Sequence, residues 1–299
     1  MNANAPFEPA TIDVAQVAVQ SRGYWSTVLQ RLRQDKVTLF FASLILLVIL
    51  MALLADFIAP QDPYQASMIK RLKPVGTEGH LLGTDETGRD MLSRLIYGSR
   101  LSLFMGIMPV VFALLIGGTL GIIAGFVGGT INMVIMRTMD VFYAFPSVLL
   151  AIAISGALGA GIVNAIISLT LVFIPPLARV AESVTTQVRN LDYVDAARAS
   201  GASAPTIIRV HVLSNVLGAI FIYATSLISV SIILASGLSF LGLGTRPPEP
   251  EWGLMLNTLR QAIYVDPLLA ALPGVLIFIT SLSFNLVSDG LRSAMDIKV

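Results

Sequence analysis

The sequence predicts an all-α, polytopic membrane protein with six transmembrane helices, and three observations lead there. The chain of 299 residues is 55% hydrophobic and 12% charged, with a mean hydropathy of +0.81, whereas a soluble domain carries about 25% charged residues. Uncharged blocks of span length recur along it, and the charged residues gather between those blocks. Gly, Ser, Thr and Ala are dense inside the middle blocks, as in Gly117-Gly118-Thr119 with Gly121 and Gly125. Small residues let helix backbones approach closely where lipid supplies no hydrophobic force between them.

Composition also excludes whole classes. A net charge of +1, with no basic run interleaved with aromatics, leaves no footprint for nucleic acid. The absence of cysteine excludes disulfides, iron–sulfur clusters and thiolate metal sites. None of the four lysines (Lys36, Lys70, Lys73, Lys298) follows a glycine, so the chain holds no phosphate-binding Gly-x-x-x-x-Gly-Lys-Ser/Thr loop. No His-Glu-x-x-His or nucleophile–base constellation is present either, so catalysis in this chain is not expected.

In chain order, residues 1–36 are polar, of mixed charge and without the features of a secretory signal. Tyr24, Trp25, Val28, Leu29 and Leu32, set against Arg31, Arg33 and Lys36, fit either an amphipathic helix on the bilayer surface or a helical extension of the first span. Val37 to Ala55 has the roughly twenty apolar residues that cross a hydrocarbon core of about 30 Å, and Asp56 and Pro60 close it. The segment Glu86–Arg100 fits an amphipathic helix at the outer interface, its Arg89, Arg94 and Arg100 either snorkelling to headgroups or capping a pore mouth. Leu101 to Val127 is span two, ended by Gly128-Gly129. Val141 to Ala178 is too long for one crossing, and the small-residue cluster from Gly156 to Gly161 divides it into spans three and four. Leu217 to Leu241 and Leu268 to Leu286 complete six. Basic residues are equally dense in the two alternating sets of loops, so charge bias does not orient the chain.

Individual polar residues have structural readings beside functional ones. Arg137 and Asp140, three apart, fit an ion pair at the start of span three more simply than a solute site. Asn285 and Asp289 read as an anchor at the end of span six. Pro146 within span three and Pro175-Pro176 at the exit of span four read as kinks. His80 reads as an exposed loop residue, since no second histidine or cysteine accompanies it to complete a metal site.

The most distinctive stretch is the polar loop from Asp192 to His211. Asp192 is placed as a helix N-cap, with Asp195 three residues on. Gly201 suits a left-handed C-terminal cap, and Ser203 with Pro205 starts a second helix. Ala196, Ala197 and Ala199 leave a low-relief face that a groove on another protein could accept, though a plain link between spans has the same pattern.

Here the chain resembles a known family. Asp195-Ala196-Ala197, Gly201 and Leu213 resemble the EAA loop of ABC importer permeases, and Tyr193-Val194-x-Ala196-Ala197-Arg198-Ala199-x-Gly201-Ala202-Ser203 resembles the dipeptide/oligopeptide/nickel branch. Gly83 to Leu103 is similar to the entry into span two of its C-type subunit. Ser239-Phe240-Leu241-Gly242-Leu243-Gly244, Pro247-Pro248, Glu251-Trp252-Gly253 and Asn285-Leu286-Val287-x-Asp289-Gly290-Leu291-Arg292 extend the likeness over about residues 37–296. Asp195 stands where the family usually has Glu, and Ser214 where it usually has proline, which questions a bend before span five.

The resemblance implies the type I ABC importer permease fold, with both termini cytoplasmic in a bacterial inner membrane. It implies a cytoplasmic segment 1–36, a first span 37–58, a periplasmic segment 59–100, a permease core 101–290 with a cytoplasmic coupling loop 179–216, and a tail 291–299. It implies that Tyr193, Asp195, Ala196, Ala197, Arg198, Gly201, Ala202, Arg209 and His211 dock on an ATP-binding subunit. The implied partners are a second permease, two ATP-binding subunits holding ATP and Mg, a periplasmic binding protein and lipid, with no cofactor in this chain. Di- or oligopeptides are the implied cargo, with nickel complexes or glutathione as alternatives within the branch. A secondary transporter is the rival class, but inverted repeats and midplane charges, its usual marks, are not evident.

Overall fold

The computed structural model describes residues 24–295; residues 1–23 and 296–299, with the polar start and tail end of the sequence reading, lie outside the described residues. Within them the protein is helical, with only isolated bridges Thr77–His80 and Thr84–Asp90 outside the helices. Helix α1 (Tyr24–Gln34) ends at Asp35, whose carboxylate accepts from Val37 N at 3.0 Å and Thr38 N at 3.2 Å to cap α2 (Lys36–Leu53). The two are therefore separate helices. A short α3 (Ala55–Ile58) follows.

Helix α4 (Met91–Ala113) runs through a π turn (Leu114–Gly118) into α5 (Thr119–Val127), giving one apolar rod that stops at Gly128, φ +71°. The helix expected at residues 86–100 is present only from Met91: residues 86–90 precede it as turn, Asp90 caps it, and residues 91–100 run straight into span two.

Span three is the larger correction. It is a broken pair, α6 (Gly129–Tyr143) and α7 (Ser147–Leu158), bent by 87°, with the break at Pro146. Its first half begins twelve residues earlier than charge-counting placed it, because Arg137 and Asp140 lie inside α6 rather than before the span. Proline has no N–H to donate and disfavours helix in the residue before it, which accounts for the break.

Helix α8 (Ile162–Arg189) carries Pro175 and Pro176 in its interior, not at its exit. Then come α9 (Asp192–Ala199), α10 (Ala204–Ile207), a π turn (Ile208–Val212) and α11 (Leu213–Phe240), the last three forming a continuous rod. Ser214 Oγ donates to Val210 O at 2.9 Å, and the helix continues through this position, where the family's proline would stand. Helices α12 (Trp252–Thr258) and α13 (Pro267–Met295) complete the chain. Among the described residues five unbroken helices are long and apolar enough to cross a membrane, and the bent pair makes a sixth crossing if its halves count as one.

Helix α8 is central, packing against α4, α5, α6, α7 and α11, while α13 packs against α2, α11 and α12. Two apolar cores result. One gathers Leu169, Phe173 and Leu177 of α8 with Val212 and Val216; the other gathers Val48, Met91, Leu95, Trp252 and Leu269. The glycines of span two explain the first: Gly117, Gly121 and Gly125 lie directly on the α8 backbone at Ile174, Ala178 and Glu182. That packing lies inside one subunit.

A Cβ on Gly121 would stand 2.6 Å from Ala181 Cβ and collide with Ala178 O. Gly121→Val is expected to cost about 1–3 kcal/mol by overpacking, seen as a lower melting temperature in detergent. Gly237→Ala, where a Cβ would meet nothing within 4 Å, serves as the neutral comparison.

Candidate functional site

The polar loop folds locally much as its residues dictate. Leu191, not Asp192, occupies the N-cap position of α9, without a side-chain cap, because the helix begins one residue earlier than expected. Asp192 and Asp195 sit in the first turn, where negative charge suits the helix dipole. Gly201 takes φ +82°, its N–H reaches Arg198 O at 3.0 Å, and Ala202 N–H reaches Ala197 O at 3.1 Å. This is a Schellman closure, which needs the left-handed residue glycine supplies. Ser203 and Pro205 start α10 as expected.

Three contacts tie α9 to the membrane helices. Val194 is fully buried in the core beneath it. Arg198 pairs with Asp195 at 2.7 Å and lies 5.7 Å over the Phe126 ring at the end of span two. Tyr193 packs 6.0 Å from the His211 ring, and its hydroxyl accepts from Asn215 Nδ2 at 3.2 Å. The structure thus brings Tyr193, Asp195, Arg198 and His211 to one end of the bundle. Ala197 and Ala202 pack partly inward, while Ala196, Ala199 and Arg209 remain exposed. Asn215 was visible in the sequence only as a polar neighbour; its bond to Tyr193 depends on the turn between α9 and α11.

The opposite end is a locked polar cap. Asp85 accepts from Arg89 Nε at 2.6 Å and lies 3.1 Å from Arg94 Nε, all three side chains buried. Arg94 Nη1 donates to Pro63 O at 3.1 Å and Pro248 O at 3.2 Å. These arginines bind segments together and do not snorkel. Arg100, the third, pairs with Asp56 at 2.9 Å, holding that carboxyl below its ordinary range. His80 is a correction too: it is 3% exposed, its Nδ1 3.0 Å from Asp90 and its Nε2 3.3 Å from Lys70 Nζ. Among the described residues no group of three His, Cys, Asp or Glu is placed to hold a metal.

Trp252 is fully buried, its indole N–H donating to Leu95 O at 3.0 Å. Beside it Glu251 caps α12 through Gly253 N and Leu254 N, each at 2.8 Å. Burial raises the Glu251 carboxyl above its ordinary value even against these bonds.

On the surface of the helix bundle, Asp140 pairs chiefly with Arg179 of α8 at 2.5 Å, and Arg137 stands farther off at 3.7 Å. The pair expected within one helix is thus mainly a tie between two. Asn285 and Asp289 are both exposed on α13.

Residues 117–299 match the family described as binding-protein-dependent transport system inner membrane component, and residues 23–74 match the N-terminal TM domain of oligopeptide transport permease C. The chain is 39% identical over 275 residues to the glutathione transport system permease protein GsiD of Pectobacterium atrosepticum, covering 92% of this chain and 91% of the relative. It is 42% identical over 259 residues to the di/tripeptide transport system permease protein DppC of Pseudomonas aeruginosa, covering 85% and 86%. A chain of the methionine ABC transporter MetNI in an inward-facing conformation shares the fold, with a TM-score of 0.57 at 20% identity over 68% of this chain and 97% of that one.

Fold and likeness together define a membrane permease subunit of an ABC importer. The chain belongs to the inner-membrane-component family of binding-protein-dependent transport systems.

Because Glu251 has a folded pKa above 4.5, its contribution to the folded state is fully present below that value and is lost as pH rises through the raised one. The melting temperature of the native protein is expected to decline more from pH 4.5 upward than that of Glu251→Gln. Equal slopes would count against a charge-excluding cap.

Proposed function

We propose that this permease imports short peptides, driven by ATP-binding subunits that grip α9. Peptide cargo is supported by the two relatives, named for glutathione and di/tripeptide transport, that align along nearly the whole chain. The single observation that carries the coupling role is the form of α9: a rigid helix with a fully buried anchor at Val194 and an exposed, small-faced outer side at Ala196 and Ala199.

In this reading a second permease completes the pathway, two ATP-binding subunits hold ATP and Mg, and a periplasmic binding protein delivers the solute. The docking surface comprises Tyr193, Asp195, Ala196, Ala197, Arg198, Gly201, Ala202, Arg209 and His211, with residues 179–216 and both termini cytoplasmic. Asp195 is held by Arg198, so its carboxylate stabilises the helix that presents the alanines as well as lining the surface. ATP closure pulls α9, and the Val194, Arg198–Phe126 and Tyr193–Asn215 contacts pass the movement to α8, α5 and α11.

Ala196→Arg places a long charged side chain on the docking face. It is expected to lower ATP-dependent uptake of L-alanyl-L-alanine by more than tenfold in vesicles of the assembled transporter, with membrane insertion unchanged. Gly201→Val, which strains the φ +82° turn, is expected to act in the same direction. Normal uptake in both, at normal protein levels, would refute the coupling assignment.

A further inference from the structure

The break in span three and the two prolines of α8 face the same cavity. It measures about 510 Å³ and is lined by Tyr143, Phe145 and Ser147 around the break, by Phe173 with Pro175 and Pro176 on α8, and by Tyr223 on α11. That volume falls within the roughly 300–1,000 Å³ of small-ligand sites, which are mostly apolar with a few convergent polar groups.

Backbone chemistry makes this cavity unlike the other grooves. Pro175 and Pro176 carry no N–H, so the carbonyls of Leu171 and Val172 lose their partners four residues on. Pro146 likewise donates nothing across the 87° bend. Irregular backbone at membrane depth is tolerated only where it is buried in protein or lines a water-filled space, because lipid offers it no hydrogen bonds. The surface around the break is open, with Tyr143 54% and Phe145 58% exposed. Neighbouring helices of this chain therefore do not bury the break, and lipid is a forbidden neighbour.

We propose that this cavity is this subunit's wall of the translocation pathway and receives the amide backbone of a short peptide. The inference rests on the peptide-import reading and adds the place of contact. The Val172 carbonyl, which Pro176 cannot supply with an N–H, and the Tyr143, Tyr223 and Ser147 hydroxyls offer hydrogen bonds to the peptide's amide groups, and Phe145 and Phe173 cover its side chains. No charged side chain lines the cavity. Recognition thus falls on the backbone that all short peptides share, which suits a conduit that leaves side-chain selection to another component. The ion pair of Asp140 with Arg179, and the stacking of Arg179 4.9 Å over Tyr143, neutralise the nearest charges and hold α6 to α8 beside the break.

The chain has no cysteine, so single cysteines report without background from it. In the assembled transporter in proteoliposomes, Ser147→Cys is expected to react with a water-soluble methanethiosulfonate at least tenfold faster than Leu47→Cys on the outlying α2. Modification should block uptake of L-alanyl-L-alanine, and the dipeptide under transport conditions should slow the labelling several-fold. Labelling no faster than at Leu47→Cys would overturn the inference, the break being then covered by the second permease. Fast labelling that neither blocks uptake nor responds to the dipeptide would overturn it as well. Dipeptide uptake by the unmodified complex is measured first, so failure of the import reading registers there, before and apart from the labelling result.

Discussion

The contact of Gly117, Gly121 and Gly125 with the backbone of α8 is the constraint on which the rest of this fold depends. Lipid tails are as apolar as leucine, so two membrane helices gain little by touching unless their backbones come close enough for dense packing. Removing three side chains on one face of span two achieves that closeness and seats α8 in the centre of the bundle. Everything functional is then referred to α8: the polar loop leaves its last turn, its prolines face the broken span, and Arg179 ties it to α6.

The two ends of the molecule are built in opposite ways. At one end Asp85, Arg89 and Arg94 are buried and paired, Arg94 reaches Pro248 O, and the buried Glu251 and Trp252 bond to Ser102 of α4, holding residues 60–100 and 245–266 as one cap. Breaking one partner of such a buried set leaves an uncompensated charge, which is costly. The other end is attached more lightly: buried Val194, partly buried Ala197, the Arg198–Phe126 cation–π contact and the Tyr193 contacts with His211 and Asn215 hold α9. A rigid cap opposite a lightly tethered helix is a sensible division for a machine moved from one side.

Much of the fold was legible from sequence because lipid imposes length and apolarity on any crossing. Spans one, two, five and six emerged from uncharged runs, and the Gly201 turn from the need for a positive φ. Span three was not legible, because its first half contains Arg137 and Asp140, and charge-counting reads charges as loop. Only the tertiary partner Arg179 makes Asp140 acceptable there. The arginines at 89 and 94 were misread for the same reason, since a helical stripe of basic residues looks identical whether it meets headgroups or buried carboxylates. His80 became interpretable only when the turns of residues 76–90 brought it to Asp90 and Lys70. In the polar loop, local chemistry set the turn, while the Tyr193–Asn215 bond depended on two helices meeting.

The central claim is that α9 is the handle by which a separate ATP-driven subunit moves α8. The most direct measurement is a cross-link from a single cysteine at Ala199→Cys in the assembled transporter. The expected result is a product with the ATP-binding subunit whose yield changes with ATP, and no reaction with a membrane-impermeant thiol reagent applied from outside. A product with the external binding protein, or labelling from outside, would contradict it.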